Sequence, residues 1–144
     1  MKTGHVIVIA VMALLLTACT GGEPVTMDTI DNHLNRDDVQ YVELREAFEI
    51  AELGMIEGFD MIPFYTEFVN PGHLTFPPDG QFHVSHIHDE AAIRAYFDAD
   101  KTIYLVCRRG NRTRFMHDVL VHLGYDVVDV GGIEDYHGDN LIYP

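Results

Sequence analysis

The apolar residues of this chain fall into short runs separated by segments of helical character. The runs lie at 40–44, 103–106 and 125–130. Each has the length and the β-branched or aromatic content of a buried strand. The segments 45–53 and 113–123 are predicted helices, and the glycine pair at 131–132 is expected to end the last strand. Strands that alternate with helices favour a mostly parallel sheet covered on both faces, so the predicted fold class is α/β.

Two further helices and one long irregular segment complete the pattern. A helix is predicted over 27–34 with Asp28 as its N-cap, and another over 90–97 with Asp89 as its N-cap. Residues 65–88 are rich in proline and glycine, which predicts loop structure. This segment is longer than a minimal α/β connection requires.

The N-terminal segment has the features of a bacterial export signal. Lys2 precedes an apolar run at 6–18, and its length of 13 residues is below the roughly 20 that span a bilayer. The run ends in Leu16-Thr17-Ala18-Cys19, which resembles the lipobox of bacterial lipoproteins. The resemblance implies removal of residues 1–18 and lipidation of Cys19, which would anchor the protein in a membrane. A plain signal peptide or a short uncleaved anchor is the alternative.

This interpretation divides the chain into a signal peptide (1–18), a lipidated cysteine with its tether (19–26) and one folded domain (27–144). It predicts an exported protein that is lipid-anchored to the bacterial cell membrane or envelope. The formal charge of the full chain is −14, which argues against nucleic acid as a partner and against electrostatic attraction to anionic lipid. Against that background, a group of arginines is a local exception.

Such a group follows the apolar run 103–106 directly, as Cys107-Arg108-Arg109-Gly110-Asn111-Arg112. A loop between a strand end and a helix start can direct several backbone N–H groups, and the positive end of the helix, towards one point. These groups and the nearby arginines favour a thiolate over a thiol. If Cys19 carries lipid, Cys107 is the free thiol of the mature chain. We therefore predict an activated sulfur nucleophile in an anion-binding loop.

In this context the motif resembles the Cys-x-x-Gly-x-Arg active-site loop of single-domain rhodanese-like proteins. The resemblance covers residues 27–138, and three other parts of the family pattern occur there in the expected order, two before the cysteine loop and one after it. They are Glu43-Leu44-Arg45 for Asp-x-Arg, Gly54-Met55-Ile56-Glu57-Gly58 for Gly-His-Ile-x-Gly, and Gly131-Gly132 with Tyr136 where tryptophan is common. The resemblance implies a three-layer α/β fold with a mostly parallel sheet flanked by helices.

The resemblance also implies sulfur transfer without a cofactor. Cys107 would attack the outer sulfur of thiosulfate or a related anionic donor and become a persulfide. A thiol or another thiophilic acceptor, whose identity the sequence leaves open, would then take that sulfur. The predicted substrate-binding loop comprises Arg108, Arg109, Gly110, Asn111 and Arg112. Arg108 and Arg112 would hold an oxyanion, Arg109 would join them if it points inward, and Arg45 would brace the fold nearby.

Two alternatives belong to other functional classes. A non-enzymatic, membrane-tethered carrier of sulfane sulfur, or a protein-binding module, would keep the same loop. A thiol phosphatase or arsenate reductase is disfavoured because related phosphatases have one more residue between the cysteine and the final arginine. Here Arg112 follows Cys107 by five positions, which favours sulfur over phosphate.

Two other polar groups have simpler interpretations. The first consists of His73, His83, His86 and His88, and the second of Glu46, Glu49 and Glu52. Alternating histidines on a strand could bind zinc or copper, but exposed loop histidines are the expected interpretation, and no metal site is predicted. The glutamates lie about one helical turn apart and are expected to form a solvated helix face.

Overall fold

The computed structural model of the chain describes residues 21–144 and has an α/β architecture. Its main strands are β1 (Val39–Glu43), β3 (Asp60–Met61), β4 (Thr102–Cys107) and β5 (Val127–Gly132). They form a four-stranded parallel sheet in the order β3–β1–β4–β5. A separate antiparallel pair consists of β2 (Met55–Ile56) and β6 (Leu141–Ile142). The predicted fold class, with a mostly parallel sheet flanked by helices, is confirmed.

Helices and single helical turns connect these strands. The α-helices are α1 (Ala47–Leu53), α2 (Glu90–Arg94) and α3 (Asn111–His122). The shorter turns are 3-10 helices at Ile30–His33, Val84–His86 and Ile133–Asp135, and a π-helical turn at Tyr65–Val69. The helix α1 ends at Gly54, which has a φ of +72° that favours glycine.

The strand β4 is buried on both faces, and the Cys107 side chain lies on the face that α3 covers. Successive side chains of a strand point to opposite faces. Leu105 and Cys107 therefore share one apolar cluster with Phe115, whereas Tyr104 and Val106 belong to a second cluster on the opposite face. A near-continuous apolar run is what a central parallel strand requires.

Two local predictions are wrong. Residues 27–34 do not form an α-helix capped by Asp28; they contain only the 3-10 turn Ile30–His33, and Thr29 occupies its N-cap position. The glycine pair 131–132 does not end the last strand but lies inside β5. A register shift between Leu105 and Val106 of β4 brings Gly132 opposite Cys107, so these glycines belong to the sheet beside the candidate site.

Aromatic side chains hold the irregular segment 65–88 against the helices. The ring of Phe68 stacks on Phe97 with centroids 5.9 Å apart. The rings of Phe76 and Phe82 meet Phe115 of α3 at 5.0 and 5.9 Å. This packing fixes the segment beside the helix that follows Cys107.

The predicted cap Asp89 accepts the Ala92 N–H at 3.0 Å, although α2 ends at Arg94 rather than at residue 97.

The predicted signal peptide (1–18) and Cys19 lie outside the described residues. Within 21–144, no helix combines the length and apolar character needed to cross a membrane. Export, lipidation and the division of the chain at residues 18 and 26 therefore stay predictions.

Candidate active site

Cys107 ends β4 at the point where the chain turns into α3. The carboxyl ends of parallel strands are where α/β proteins commonly bind ligands. The residue is 1% exposed, and it also forms part of the wall of a pocket. The sulfur is thus both packed against the core and adjacent to a space that a ligand can enter.

The loop after Cys107 directs a backbone donor at the sulfur. The Gly110 N–H donates to Cys107 Sγ at 3.1 Å. Gly110 has a φ of +94°, which favours glycine at this position because a side chain would be strained there. The Thr113 hydroxyl donates to the Gly110 carbonyl at 3.0 Å and lies 3.8 Å from Sγ. Both contacts hold the loop in the conformation that presents its N–H group to the sulfur.

Gly132 of β5 allows the loop to approach the sheet. A Cβ atom at this position would lie 2.6 Å from Arg109 Cα and would also overlap the Arg108 carbonyl. Gly132 has a φ of −105°, so the requirement for glycine comes from space rather than from backbone conformation. The sequence interpretation gave Gly132 no role in the site, although its glycine pair was the available signal.

A buried ion pair lies behind the loop, at the junction of β1 and α1. The side chains of Arg45 and Glu43 are 0% and 1% exposed. Arg45 Nε and Nη2 donate to the two Glu43 carboxylate oxygens at 2.9 and 2.8 Å, and Nη2 also donates to the Gly54 carbonyl at 2.6 Å. Burial raises the pKa of Glu43, and Arg45 opposes that rise. Arg45 thus links the end of β1 to the C-terminal end of α1.

A second pair joins α1 to α3. Arg112 Nη1 and Nη2 donate to the two Glu49 oxygens at 2.6 and 2.7 Å. Burial tends to raise the pKa of Glu49, but the hydrogen bonds from Arg112 and from the Glu46 N–H outweigh it and lower that pKa. The prediction that Glu49 lies on a solvated face is wrong. The residue is 6% exposed, because an arginine 63 positions away matches its charge.

The remaining two loop arginines share one carboxylate. Arg108 Nε and Arg109 Nε each donate to a different oxygen of Glu134 at 2.8 Å. The hydrogen bonds from Arg109 and Arg108 lower the pKa of Glu134 to about 2. Arg108 also lies 3.5 Å from Glu52. Each arginine expected to hold an oxyanion therefore already has an acidic partner.

The pocket beside Cys107 has a volume of about 710 Å³ and walls of two kinds. Its charged and amide side chains are Arg108, Arg109, Arg112, Arg114, Glu46, Glu49, Asp79, Asn70 and Asn111. Its apolar side chains are Phe48, Tyr65, Phe76 and Pro78. The Tyr65 ring lies 5.8 Å from the guanidinium carbon of Arg112. The apolar side chains come from α1 and from the segment 65–88, so that segment contributes directly to the candidate site.

Comparisons with known proteins give structural matches but no sequence match. No family model matches the chain, and no curated protein matches it. A rhodanese-like domain protein from Staphylococcus aureus aligns with 85% of this chain and 99% of its own, at 25% identity and a TM-score of 0.56. The chain has a rhodanese-like fold. A Staphylococcus saprophyticus protein (22% identity, TM-score 0.55, covering 84% of this chain and 99% of its own) has the same fold. So does a rhodanese-related protein from Thermoplasma volcanium (22%, 0.53, covering 85% and 100%).

Within this rhodanese-like fold, the predicted site residues divide into two groups. Cys107 and the side chains of residues 108, 109, 111 and 112 meet at the pocket, and Gly110 contacts the sulfur through its backbone. Arg45 is not part of the pocket lining. The carboxylates Glu49 and Glu134 and the small residue Gly132 were missed. Only the three-dimensional fold brings them next to the loop.

The histidine group does not form a common site. His86 belongs to a 3-10 turn rather than to a strand, and His83 and His86 contact each other through a backbone N–H. His88 Nε2 pairs with the Thr75 hydroxyl at 2.7 Å, and His73 lies 3.7 Å from Asp89. Across 21–144, no three histidine, cysteine or acidic side chains are grouped closely enough to hold a metal ion.

Proposed function

We propose that this chain is a sulfurtransferase that carries sulfur as a persulfide on Cys107. The observation that supports this proposal most directly is the 3.1 Å hydrogen bond from the Gly110 N–H to Sγ at the start of α3. A fixed backbone donor and a helix N-terminus stabilise a sulfur anion, whether it is a thiolate or a persulfide. The rhodanese-like fold of the matched structures supports the same chemistry.

The proposed reaction has two displacement steps. The Cys107 thiolate attacks the outer sulfur of the donor, the donor's S–S bond breaks, and the leaving group departs with its electron pair. An acceptor such as cyanide or a thiolate then attacks the outer sulfur of the persulfide, and Cys107 leaves as a thiolate. Each step exchanges one bond to the transferred sulfur for another, so no external oxidant or reductant is required.

The loop residues have distinct proposed roles. Gly110 stabilises the sulfur through its N–H, and Asn111 lies in the pocket wall as a polar contact for the donor. A guanidinium has five N–H donors, and Glu49 occupies two from Arg112. Arg112 therefore keeps donors for an oxyanion despite its partner. Arg108 and Arg109 contact a donor through the N–H groups that Glu134 leaves free.

One observation favours a second candidate, a non-enzymatic carrier of sulfane sulfur. The carboxylates of Glu49 and Glu134 offset two of the three positive charges of the loop arginines, and Glu52 lies 3.5 Å from Arg108. This pairing weakens the attraction of a small dianion such as thiosulfate. A carrier would accept sulfur from a partner and hold it on Cys107 without rapid turnover.

Thiocyanate formation from thiosulfate or a thiosulfonate and cyanide distinguishes the two candidates. We expect turnover by the purified full chain and none by Cys107→Ser, which keeps the side chain's size but lacks the nucleophilic sulfur. A persulfide on Cys107, identified by peptide mass spectrometry without turnover, would indicate the carrier. A folded protein that shows neither result would exclude both candidates.

We also propose that Cys19 is lipidated and anchors the exported protein to the bacterial envelope. The support is the lipobox-like sequence at 16–19. Expression in a bacterial host should give a membrane-associated product that carries acyl groups. A Cys19→Ala variant should lose the acyl groups, and an unmodified Cys19 in the membrane-associated wild type would contradict the proposal.

A further inference from the structure

The charges at the pocket are nearly balanced, although its loop is rich in arginine. Arg108 and Arg109 share Glu134, and Arg112 is paired with Glu49. The other charged side chains of the lining are Arg114, Glu46 and Asp79, so four arginines face four carboxylates. The side chains of Arg112 and Glu49 are only 11% and 8% exposed, so this pair is shielded from solvent. A site built to capture a small dianion would need unmatched positive charge. This one offers hydrogen-bond donors with little net attraction.

Part of the pocket lining is apolar and accessible. Phe48 is 72% exposed and Tyr65 is 38% exposed, and both line the pocket. Phe76 and Pro78 extend the same wall. Covering an exposed phenylalanine with an apolar ligand removes its surface from water, which favours binding. These side chains form a surface suited to the carbon skeleton of a ligand rather than to an inorganic ion.

The size of the pocket agrees with this chemistry. Its volume of about 710 Å³ falls in the range of roughly 300–1,000 Å³ that is typical of sites for organic ligands. A thiosulfate ion would leave most of that space empty. Because Cys107 and the apolar side chains line the same pocket, that space can accept the remainder of an organic donor whose sulfur reaches Sγ.

From these observations we infer that the sulfur donor is organic, with an apolar body and at most one negative charge, and that Glu134 helps to set this preference. The inference rests on the proposed sulfurtransferase function and specifies its substrate class. Organic persulfides and organic thiosulfonates both fit this description. Glu134 acts through Arg108 and Arg109, so it is a specificity-determining residue that does not itself contact the reacting sulfur.

The chemistry balances for a thiosulfonate donor, R–SO₂–S⁻. The Cys107 thiolate forms a bond to the terminal sulfur, and the bond between that sulfur and the sulfonyl sulfur breaks. The electron pair leaves with the sulfinate, R–SO₂⁻, while Cys107 becomes a persulfide anion. One negative charge stays on each product. The group R departs unchanged, so variation of R tests the pocket without changing the reaction type.

Three donors separate charge from shape in a thiocyanate assay with the full chain. Thiosulfate is a dianion without a carbon body, methanethiosulfonate is a monoanion with a small body, and benzenethiosulfonate is a monoanion with a ring. Each kcat/KM is divided by the rate of the same donor with free cysteine, which removes intrinsic reactivity. We expect benzenethiosulfonate to exceed methanethiosulfonate by about tenfold, because the ring covers apolar surface, and thiosulfate to be the poorest donor.

Two variants and their matched controls identify the residues responsible. Phe48→Ala should reduce the preference for benzenethiosulfonate over methanethiosulfonate about threefold, as part of the apolar wall is lost. Glu134→Gln should raise kcat/KM for thiosulfate about fivefold, the effect in water of one unit charge about 8 Å from a dianion. The controls are Val121→Ala, an exposed apolar residue of α3 outside the pocket lining, and Glu57→Gln, an exposed acid outside it. Neither control should change the donor preference.

The outcomes distinguish this inference from the function on which it rests. If Cys107 acquires no sulfur from any of the three donors, the proposed function and the inference both fail. If the wild type transfers sulfur fastest from thiosulfate, or if Phe48→Ala leaves the ring preference unchanged, the inference fails and the proposed function stands. The inference is supported when the wild type prefers the ring donor and disfavours thiosulfate, Phe48→Ala reduces only the ring preference, and Glu134→Gln raises only the use of thiosulfate.

Discussion

Two carboxylate–arginine pairs flank α1, and they share a bidentate geometry but differ in their surroundings. Glu43 and Arg45 are fully buried and lie two positions apart in the sequence, whereas Glu49 and Arg112 join two helices at the edge of the pocket. Burial outweighs the arginine at Glu43 and raises its pKa, whereas hydrogen bonding outweighs burial at Glu49 and lowers its pKa. The depth of burial, rather than the pairing itself, decides which effect is larger.

This difference separates the scaffold from the site. The Glu43–Arg45 pair also binds the Gly54 carbonyl and has no surface in the pocket, so its role is to join β1 to α1. The Glu49–Arg112 pair holds the last arginine of the Cys107 loop against the same helix. Loss of the first pair should therefore affect folding, and loss of the second should affect both folding and the chemistry of the loop.

Arg45→Ala should produce the largest loss of stability. It leaves Glu43 buried without its partner, and removal of one member of a buried pair typically costs about 3–5 kcal/mol. We expect the free energy of unfolding, measured in urea at pH 7, to fall by that amount. Burial already raises the pKa of Glu43. In the variant this carboxyl can take up a proton and avoid a buried unpaired charge, so we expect the loss of unfolding free energy to lie at the lower end of that range.

The control for this variant is Arg36→Ala, which removes an exposed arginine paired with Asp38. Exposed pairs contribute little to stability, so this change should be silent in the same urea titration. Equal stability of Arg45→Ala and the wild type would show that the buried pair does not support the junction of β1 and α1.

Glu49→Gln should have an intermediate effect on stability and a clear effect on the site. The amide keeps the shape of the side chain but loses its charge, and a lost hydrogen bond to a charged group costs about 2 kcal/mol. Thiocyanate formation should also change, because Arg112 is no longer held in place. Glu52→Gln on the same helix is the stability control, since Glu52 is exposed. An active site unaffected by Glu49→Gln would make this pair purely structural.

The pH dependence of the same variant sharpens the comparison. The pKa of Glu49 is lower in the folded chain than its ordinary value of 4.5. Its contribution is therefore complete above pH 4.5 and is lost as the pH falls through the folded pKa. The difference in unfolding free energy between wild type and Glu49→Gln should stay constant from pH 7 to about pH 5 and shrink below that.

Glu43 should behave in the opposite way. A carboxyl with a raised pKa in the folded state contributes most below its unfolded pKa, and that contribution is lost as the pH rises. A Glu43→Gln variant should therefore not become relatively more stable in acid, as Glu49→Gln does. Parallel pH curves for the two variants would contradict the pKa directions on which this comparison depends.

Local sequence patterns predicted the parts of the fold that depend on local chemistry. The run that became β4 is buried on both faces and therefore apolar throughout, and Gly54 ended α1 because of its positive φ. The predicted helix at 27–34 is only a 3-10 turn, and the Thr29 side chain at its N-cap makes no capping hydrogen bond. Gly132 lies opposite Cys107 because the register shifts where Val130 is left without a partner on β4, and the glycine pair alone does not specify that shift.

The sequence predicted the residues of the Cys107 loop but not the acidic residues that pair with its arginines. The order of residues 107–112 places the sulfur, its backbone donor and the arginines together, because they are neighbours in sequence. Their acidic partners are remote: Glu49 lies 63 positions from Arg112, and Glu134 lies 26 and 25 positions from Arg108 and Arg109. The sequence therefore indicates a cationic loop, whereas the fold forms a nearly neutral one.

Glu134→Gln should have the smallest effect on stability while changing the charge beside Cys107. Glu134 is exposed, with a pKa of about 2, so it is ionised throughout the neutral range. Exposed pairs are screened by solvent, and the urea midpoint at pH 7 should not move.

Alkylation of Cys107 by iodoacetate and by iodoacetamide, followed by peptide mass spectrometry, measures the local charge, because the two reagents differ mainly in one negative charge. The iodoacetate-to-iodoacetamide rate ratio should rise about twofold in the variant, and added salt should reduce that rise. An unchanged ratio would mean that Glu134 does not control the charge at the sulfur, and the contrast between the scaffold pair and the site carboxylates would then end at Glu49.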